Sequence, residues 1–147
     1  MEPKKVTIPE DEMRIQALSC LQYGNSFFET LQKSVRSKKS KFGNELLYNL
    51  AVMCIEKYFV ALLARYDWNA THHMPVALYR EAKDYEPELT ESMKQTTILV
   101  GKFEGICSLE DFGYKTPNME ELTKMCEGLE EIKNLVEKRI GEIEVFP

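Results

Sequence analysis

The chain has 147 residues, of which 44% are hydrophobic and 29% charged, the composition of a soluble globular protein and not of a disordered chain. A net charge of -5 argues against a dedicated duplex-binding protein, which usually carries a basic footprint. The charge is uneven, since residues 33–41 (KSVRSKKSK) hold five bases and no acid, whereas residues 110–147 hold ten acids and five bases. We interpret the basic run as a solvated helix end, with a phosphate contact as the alternative.

The sequence also bears on cellular location. The N-terminal segment MEPKKVTIPEDE lacks the apolar stretch of a signal peptide. The longest apolar runs, residues 50–55 and 58–64, are separated by Glu56 and Lys57, and neither approaches the roughly 20 residues that cross a bilayer. We therefore expect a cytoplasmic protein without a membrane partner. Its widely spaced cysteines are predicted to be buried, reduced thiols: Cys20, Cys54, Cys107 and Cys126.

The apolar spacing is helical along almost the whole chain, and no segment alternates as a strand does. A first helix is predicted to begin after Pro9, where three acids suit a helix N-terminus, and to fade near Lys39. A second helix is predicted from about Phe42 to Arg65. It is apolar on two sides, which predicts a central helix that contacts its own bundle and a further surface, such as a second copy. The two sides are Leu46, Leu50, Met53, Ala61 and Leu62, and Val52, Ile55, Phe59 and Leu63.

Two shorter helices and a link are predicted next. Pro75 suits the first turn of a short third helix, which runs to about Tyr85. Pro87 marks a break, and a fourth helix follows over residues 88–104. Residues 105–117 are predicted to form an irregular link.

The last helix has the clearest apolar pattern. Asn118 is its predicted N-cap, and acids follow in the first turn. Five helices in all predict an all-α antiparallel bundle, with residues 1–9 as an N-terminal extension and residues 10–147 as a single helical domain. The apolar residues of the last helix recur every three or four positions: Met119, Leu122, Cys126, Leu129, Ile132, Val136, Ile140 and Ile143.

Motifs for the common cofactors and metals are missing from the sequence. It contains no G-x-G-x-x-G, no phosphate loop that ends in Gly-Lys-Ser/Thr, no H-E-x-x-H and no Glu-x-x-His pair. His72 and His73 are adjacent and therefore tend to point apart, and no ligand spacing connects them with the cysteines. We predict no metal and no cofactor.

The only tryptophan and both histidines lie in one connector, ARYDWNATHH (residues 64–73). His72 can exchange a proton near neutral pH, and Arg65 offers a planar fork of donors for phosphate oxygens. Such a pair can cleave an RNA backbone, because imidazole moves the proton and guanidinium stabilises the charged phosphorane. Asp67 is the predicted orienting group. The alternative is structural: His72 or Thr71 caps the third helix, and Arg65 caps the carbonyls of the second.

Candidate phosphate- or nucleotide-binding residues lie in the same region. Trp68 can stack on a base, although a lone tryptophan beside a turn is more often a packing residue. Lys57 interrupts an apolar helix, and it is either a phosphate contact or a solvated residue at the rim of a dimer. Arg65 and His73 complete the candidate binding set.

The order of segments has a counterpart in a known family. The second helix carries IEKYFVALL (residues 55–63), and Thr71-His72 and Leu78 follow at the short third helix. Over residues 10–142 the chain resembles the HEPN domains (higher eukaryote and prokaryote nucleotide-binding), particularly the compact prokaryotic forms. The resemblance implies an all-helical bundle that commonly pairs as a homodimer. It also implies an RNase toxin, the partner of a minimal nucleotidyltransferase antitoxin, or a nucleotide-binding module.

HEPN members that are RNases carry an Arg followed after four to six residues by a His, and Arg65 and His72 have this spacing. Tyr66 directly follows Arg65, where active members often carry Asn, Asp or His. We therefore expect a non-catalytic HEPN-like homodimer that binds a nucleotide or a partner protein, such as a nucleotidyltransferase-type antitoxin. The alternative is a metal-independent endoribonuclease of toxin type that acts on RNA through Arg65, His72 and Asp67.

Overall fold

A computed structural model describes residues 8–37, 41–103 and 116–144. Within these ranges the chain forms five helices and no strand, so the predicted all-α helical bundle is confirmed. Most of the predicted link, including Cys107, lies outside the described residues, as do residues 38–40 of the basic run. The helices are α1 (Asp11–Arg36), α2 (Asn44–Arg65), α3 (Pro75–Lys83), α4 (Glu91–Lys102) and α5 (Met119–Glu144).

Several helix ends differ from prediction by two or three residues. Helix α2 begins at Asn44, two residues after the predicted start near Phe42, and α3 ends at Lys83, two residues before the predicted end near Tyr85. Helix α4 begins at Glu91 and not at position 88, because the side chain of Thr90 accepts a hydrogen bond from the Met93 amide at 3.2 Å and caps the helix.

The predicted N-cap of α5 is confirmed. The Asn118 side chain accepts from the Glu121 amide at 2.8 Å, and the Glu121 carboxylate accepts from the Asn118 amide at 3.0 Å. This reciprocal pair satisfies two amides that the helix itself leaves without partners. Apart from exposed Met119, every apolar residue predicted for α5 is buried.

Contacts between helix ends define the topology. The Glu10 amide, at the start of α1, donates to Asp67, just beyond α2, so these neighbours run antiparallel. Asn44 at the start of α2 donates to the carbonyl of Pro117 at the start of α5. Arg65 at the end of α2 contacts the end of α5. Helices α2 and α5 therefore run in the same direction.

Helix α2 is central, as predicted, and it contacts each of the other four helices. In the part of the chain that the structure describes, α2 is the one helix long and apolar enough to cross a membrane, and 56% of its apolar window is buried. Such burial fits the core helix of a soluble bundle. Its predicted apolar sides are not fully covered, because Leu46 and Met53 remain exposed.

Two glycines allow close helix packing. A Cβ on Gly128 of α5 would lie 1.9 Å from Oγ1 of Thr96 in α4, and one on Gly24 of α1 would lie 2.7 Å from the ring of Tyr58 in α2. Both positions therefore need the absence of a side chain. The prediction of buried thiols is confirmed for the three cysteines that the structure describes: Cys20, Cys54 and Cys126.

Candidate functional site

The connector between α2 and α3 is organised around a carboxylate of α3. Glu81, whose side chain is only 8% exposed, accepts hydrogen bonds from Trp68 Nε1 at 2.7 Å and from the Thr71 amide at 3.0 Å. It also accepts from Thr71 Oγ1 at 2.9 Å, and its Oε1 lies 3.0 Å from His72 Nδ1. Trp68, Thr71 and His72 are thereby held by one side chain of α3.

These contacts determine the charge of Glu81. Burial by itself would raise the pKa of the carboxyl, but hydrogen bonds from His72, Trp68 and Thr71 outweigh it and lower the pKa to about 2. Glu81 is therefore a carboxylate at neutral pH and accepts only. His72 must then carry a hydrogen on Nδ1, which leaves Nε2 as the ring nitrogen that can act elsewhere. His72 itself is half exposed to solvent.

Trp68 is held by packing as well as by its hydrogen bond. Its ring lies against that of Tyr85, with the centroids 5.4 Å apart and the planes tilted by 30°. Tyr85 in turn lies 6.2 Å from the ring of Tyr66. Trp68 nevertheless keeps 38% of its surface exposed, so it packs at the edge of the bundle and not inside it.

Arg65 extends towards α5, and its guanidinium carbon lies 5.3 Å from the centre of the Tyr66 ring. Its side chain is 1% exposed, and its Nε donates to the main-chain oxygen of Arg139 at 2.8 Å. Its Nη2 pairs with Glu142 Oε1 at 3.1 Å. The structural alternative from the sequence was that Arg65 caps the carbonyls of α2. In these contacts Arg65 instead connects α2 with α5.

Arg139 is the centre of a group of charges in which Arg65, Glu86 and Arg139 are buried and the other two members are partly or half exposed. We call it the ionic cluster, and its members are Arg65, Glu86, Glu88, Arg139 and Glu142. Arg139 Nε and Nη2 lie 2.6 and 3.0 Å from the two oxygens of Glu86, and Nη1 lies 3.0 Å from Glu142. Arg139 also contacts Glu88. Such a two-point guanidinium–carboxylate pair is strong and directional.

Buried charge in the ionic cluster is compensated. Burial raises the pKa of Glu86, yet the hydrogen bonds from Arg139, the Glu88 amide and Tyr66 outweigh it, so the net pKa is lowered. The hydrogen bonds to Glu86 raise the pKa of Arg139 more than burial lowers it. Both groups are therefore charged at neutral pH, and the cluster connects α2, α5 and the loop between α3 and α4.

The remaining predicted site residues lie in separate places. Asp67 adopts a left-handed backbone with φ of 62°, and its carboxylate accepts from the Glu10 amide at 3.2 Å. The ammonium of Lys57 lies 5.8 Å from the centre of the Tyr23 ring. His73 is exposed.

Of the predicted residues, only Trp68 and His72 are brought together, on Glu81. Within one chain Arg65 pairs with α5, His72 with α3 and Asp67 with the start of α1. The catalytic and phosphate-binding roles of these residues stay predictions. Among residues 8–37, 41–103 and 116–144, no three His, Cys, Asp or Glu side chains are grouped to hold a metal ion.

Three residues that organise this region were missed by the sequence interpretation. Arg139 interrupts the apolar spacing of α5 on its buried side, next to Ile140, which is a signal for a buried ion pair. Glu86 stands before a proline in a loop and Glu81 in a helix with other charges, so neither is distinguished by its sequence environment.

Comparison with the models of known protein families, with curated proteins and with solved structures finds no match to this chain. The fold is known from the helices and contacts of this chain alone. Its resemblance to HEPN domains stays a prediction from the sequence.

Proposed function

We propose that the chain is a non-catalytic, HEPN-like module that pairs as a homodimer and binds a nucleotide or a partner protein. The observation that carries this proposal is an apolar strip on the outside of α2. Leu46 and Met53, seven positions apart on one side of the helix, are 44% and 38% exposed. Val60, a further seven positions along the same side, is half-buried. We call these three residues the α2 strip.

Single exposed apolar residues are common on protein surfaces, whereas apolar residues that recur every seven positions on one side of a helix are typical of a helix-pairing surface. The neighbouring helix extends the strip, because Tyr23 of α1 is exposed and lies next to Lys57 of α2. A second copy of the chain presents the same surface. Two-fold pairing would therefore cover the strip on both subunits at once.

The contacts of Arg65 support the non-catalytic part of the proposal. A catalytic guanidinium must reach the phosphate, whereas that of Arg65 is buried and paired with Glu142 and with the main chain of α5. Releasing it would leave buried polar groups without partners, at a cost of a few kcal/mol. We propose a cytoplasmic location, with a nucleotidyltransferase-type antitoxin as one candidate partner protein.

Sedimentation equilibrium tests the homodimer. We expect the wild-type chain to sediment at twice the monomer mass, and Met53→Lys to weaken the dimer at least tenfold because it places a charge in the covered strip. Ile15→Lys is the matched control, since Ile15 is 66% exposed on the outer side of α1. A wild-type monomer at high concentration, or equal weakening by both substitutions, would contradict the proposed interface.

A further inference from the structure

A groove of about 610 Å³ lies between α3 and α4, apart from the connector and the α2 strip. Its apolar part is formed by Tyr79 and Leu89, which are buried, and by Val76 and Ile98, of which Ile98 is exposed. A concave space of this size with apolar walls and a few polar groups is typical of sites for small ligands.

The groove also concentrates positive charge. Arg80 and Lys83 enter it from α3, and Lys94 enters it from α4. The Lys83 ammonium donates to the Leu89 carbonyl at 2.8 Å. In contrast, Arg80 and Lys94 form no ion pair with any residue that the structure describes, although both lie beside a cavity.

Two carboxylates limit the total charge of the groove. Asp84 and Glu91 also line it, and Glu91 accepts from the side chain of Gln95 at 2.9 Å. Three cations and two carboxylates leave a net charge of one positive unit. Such a balance suits a ligand with one phosphoryl group and hydrogen-bond donors better than one with a chain of phosphates, because the carboxylates repel additional negative charge.

We propose that this groove binds a small phosphate monoester that carries a flat ring, which is the chemistry of a nucleoside monophosphate. The Arg80 fork and the Lys94 ammonium bind the phosphoryl oxygens, since neither cation forms an ion pair with a residue that the structure describes. The ring lies against Val76 and Ile98, and Asp84 accepts from its amino or hydroxyl groups. This inference rests on the proposed binding function and specifies its site and its ligand class.

Isothermal titration calorimetry at low ionic strength tests the groove with four probes: adenosine monophosphate, adenosine triphosphate, adenosine and inorganic phosphate. We expect the monophosphate to bind most tightly. Adenosine and inorganic phosphate should each bind at least about tenfold more weakly, because each lacks one half of the recognised chemistry. The triphosphate should also bind more weakly, owing to Asp84 and Glu91.

Arg80→Gln and Lys94→Gln should each weaken binding of the monophosphate by about tenfold or more, and higher salt should weaken binding to the wild-type chain. Both side chains are exposed, so the fold is expected to persist, which circular dichroism checks. Lys124→Gln removes an exposed lysine of α5 and serves as the control, with unchanged affinity.

The outcomes separate this inference from the proposed function. If Arg80→Gln and Lys94→Gln bind the monophosphate as tightly as the Lys124→Gln control and the wild-type chain, the groove is not its site. A nucleotide-binding function would then still stand. A wild-type dimer that binds neither the monophosphate nor inorganic phosphate would overturn the ligand class, and the proposed module would then bind a partner protein. Equally tight binding of adenosine would overturn the role of Arg80 and Lys94 as phosphate ligands.

Discussion

The Nε of Arg65, in the last turn of α2, donates to the main-chain oxygen of Arg139 in α5 at 2.8 Å. The same guanidinium pairs with Glu142 at 3.1 Å, and Glu142 also pairs with Nη1 of Arg139 at 3.0 Å. The ends of two parallel helices are thus connected by a buried cation. A residue that the sequence offered as a catalyst therefore has a structural role in the fold.

Arg65→Ala should lower the free energy of unfolding by about 2–5 kcal/mol, because it empties a buried space, removes the donor to the Arg139 carbonyl and removes one of the two cations that pair with Glu142. Urea denaturation followed by circular dichroism measures the change. Arg14→Ala is the control, since Arg14 pairs with exposed Asp11 near the surface and should cost less than about 1 kcal/mol. Similar losses for the two variants would refute the structural role of Arg65.

Glu81 should make the stability of the connector depend on pH. Its pKa is lowered from 4.5 to about 2 in the folded chain, so its contribution is complete above about pH 4.5. As the pH falls from 4.5 towards 2, protonation removes this contribution. Glu81→Gln should therefore destabilise the protein by roughly 1–3 kcal/mol at pH 7, and the difference from wild type should shrink below pH 4.5.

Urea denaturation at a series of pH values measures this difference. The emission of Trp68, the only tryptophan, reports the same connector because its ring nitrogen donates to Glu81. Glu29→Gln removes an exposed carboxylate that pairs with Lys33 and should have little effect at any pH. A Glu81→Gln difference that stays constant from pH 7 to pH 3 would show that the charge of Glu81 is not what holds the connector.

Replacing Gly128 or Gly141 of α5 by alanine should have opposite effects on stability, because Gly128 packs closely against α4. Gly128→Ala should destabilise by about 1–3 kcal/mol, because its Cβ would lie 1.9 Å from Thr96 Oγ1. Gly141→Ala should stabilise by about 0.5–1 kcal/mol, because no atom of the described residues lies within 4 Å of the added Cβ and alanine favours the helix. Thermal unfolding compares them. Stabilisation by both substitutions would contradict the packing of these helices.

The fold was largely predictable because its signals are local. Apolar spacing along α5 and the Asn118 cap act within one helix, and both predictions are confirmed. The start of α4 was less accurate, since a single capping side chain, Thr90, decides where this helix begins.

The site was less predictable because its contacts join residues that are distant in sequence. Arg65 and Arg139 lie 74 positions apart, and Arg139 and Glu86 lie 53 apart. The spacing of Arg65 and His72 along the chain favoured a catalytic pair of these two side chains. The direction of a side chain, however, depends on which helix packs next to it. The approach of α5 to the end of α2 gives Arg65 a different partner.

The central claim is that the chain is a binding module in which Arg65 has a structural role and no catalytic one. An assay of RNA hydrolysis in the presence of EDTA tests this claim most directly. The purified wild-type chain at high concentration should leave single-stranded RNA intact. His72→Ala should also leave the RNA intact, and it is expected to fold because the side chain of His72 is half exposed. Metal-independent cleavage by the wild-type chain that disappears in His72→Ala would contradict the claim and establish the endoribonuclease alternative.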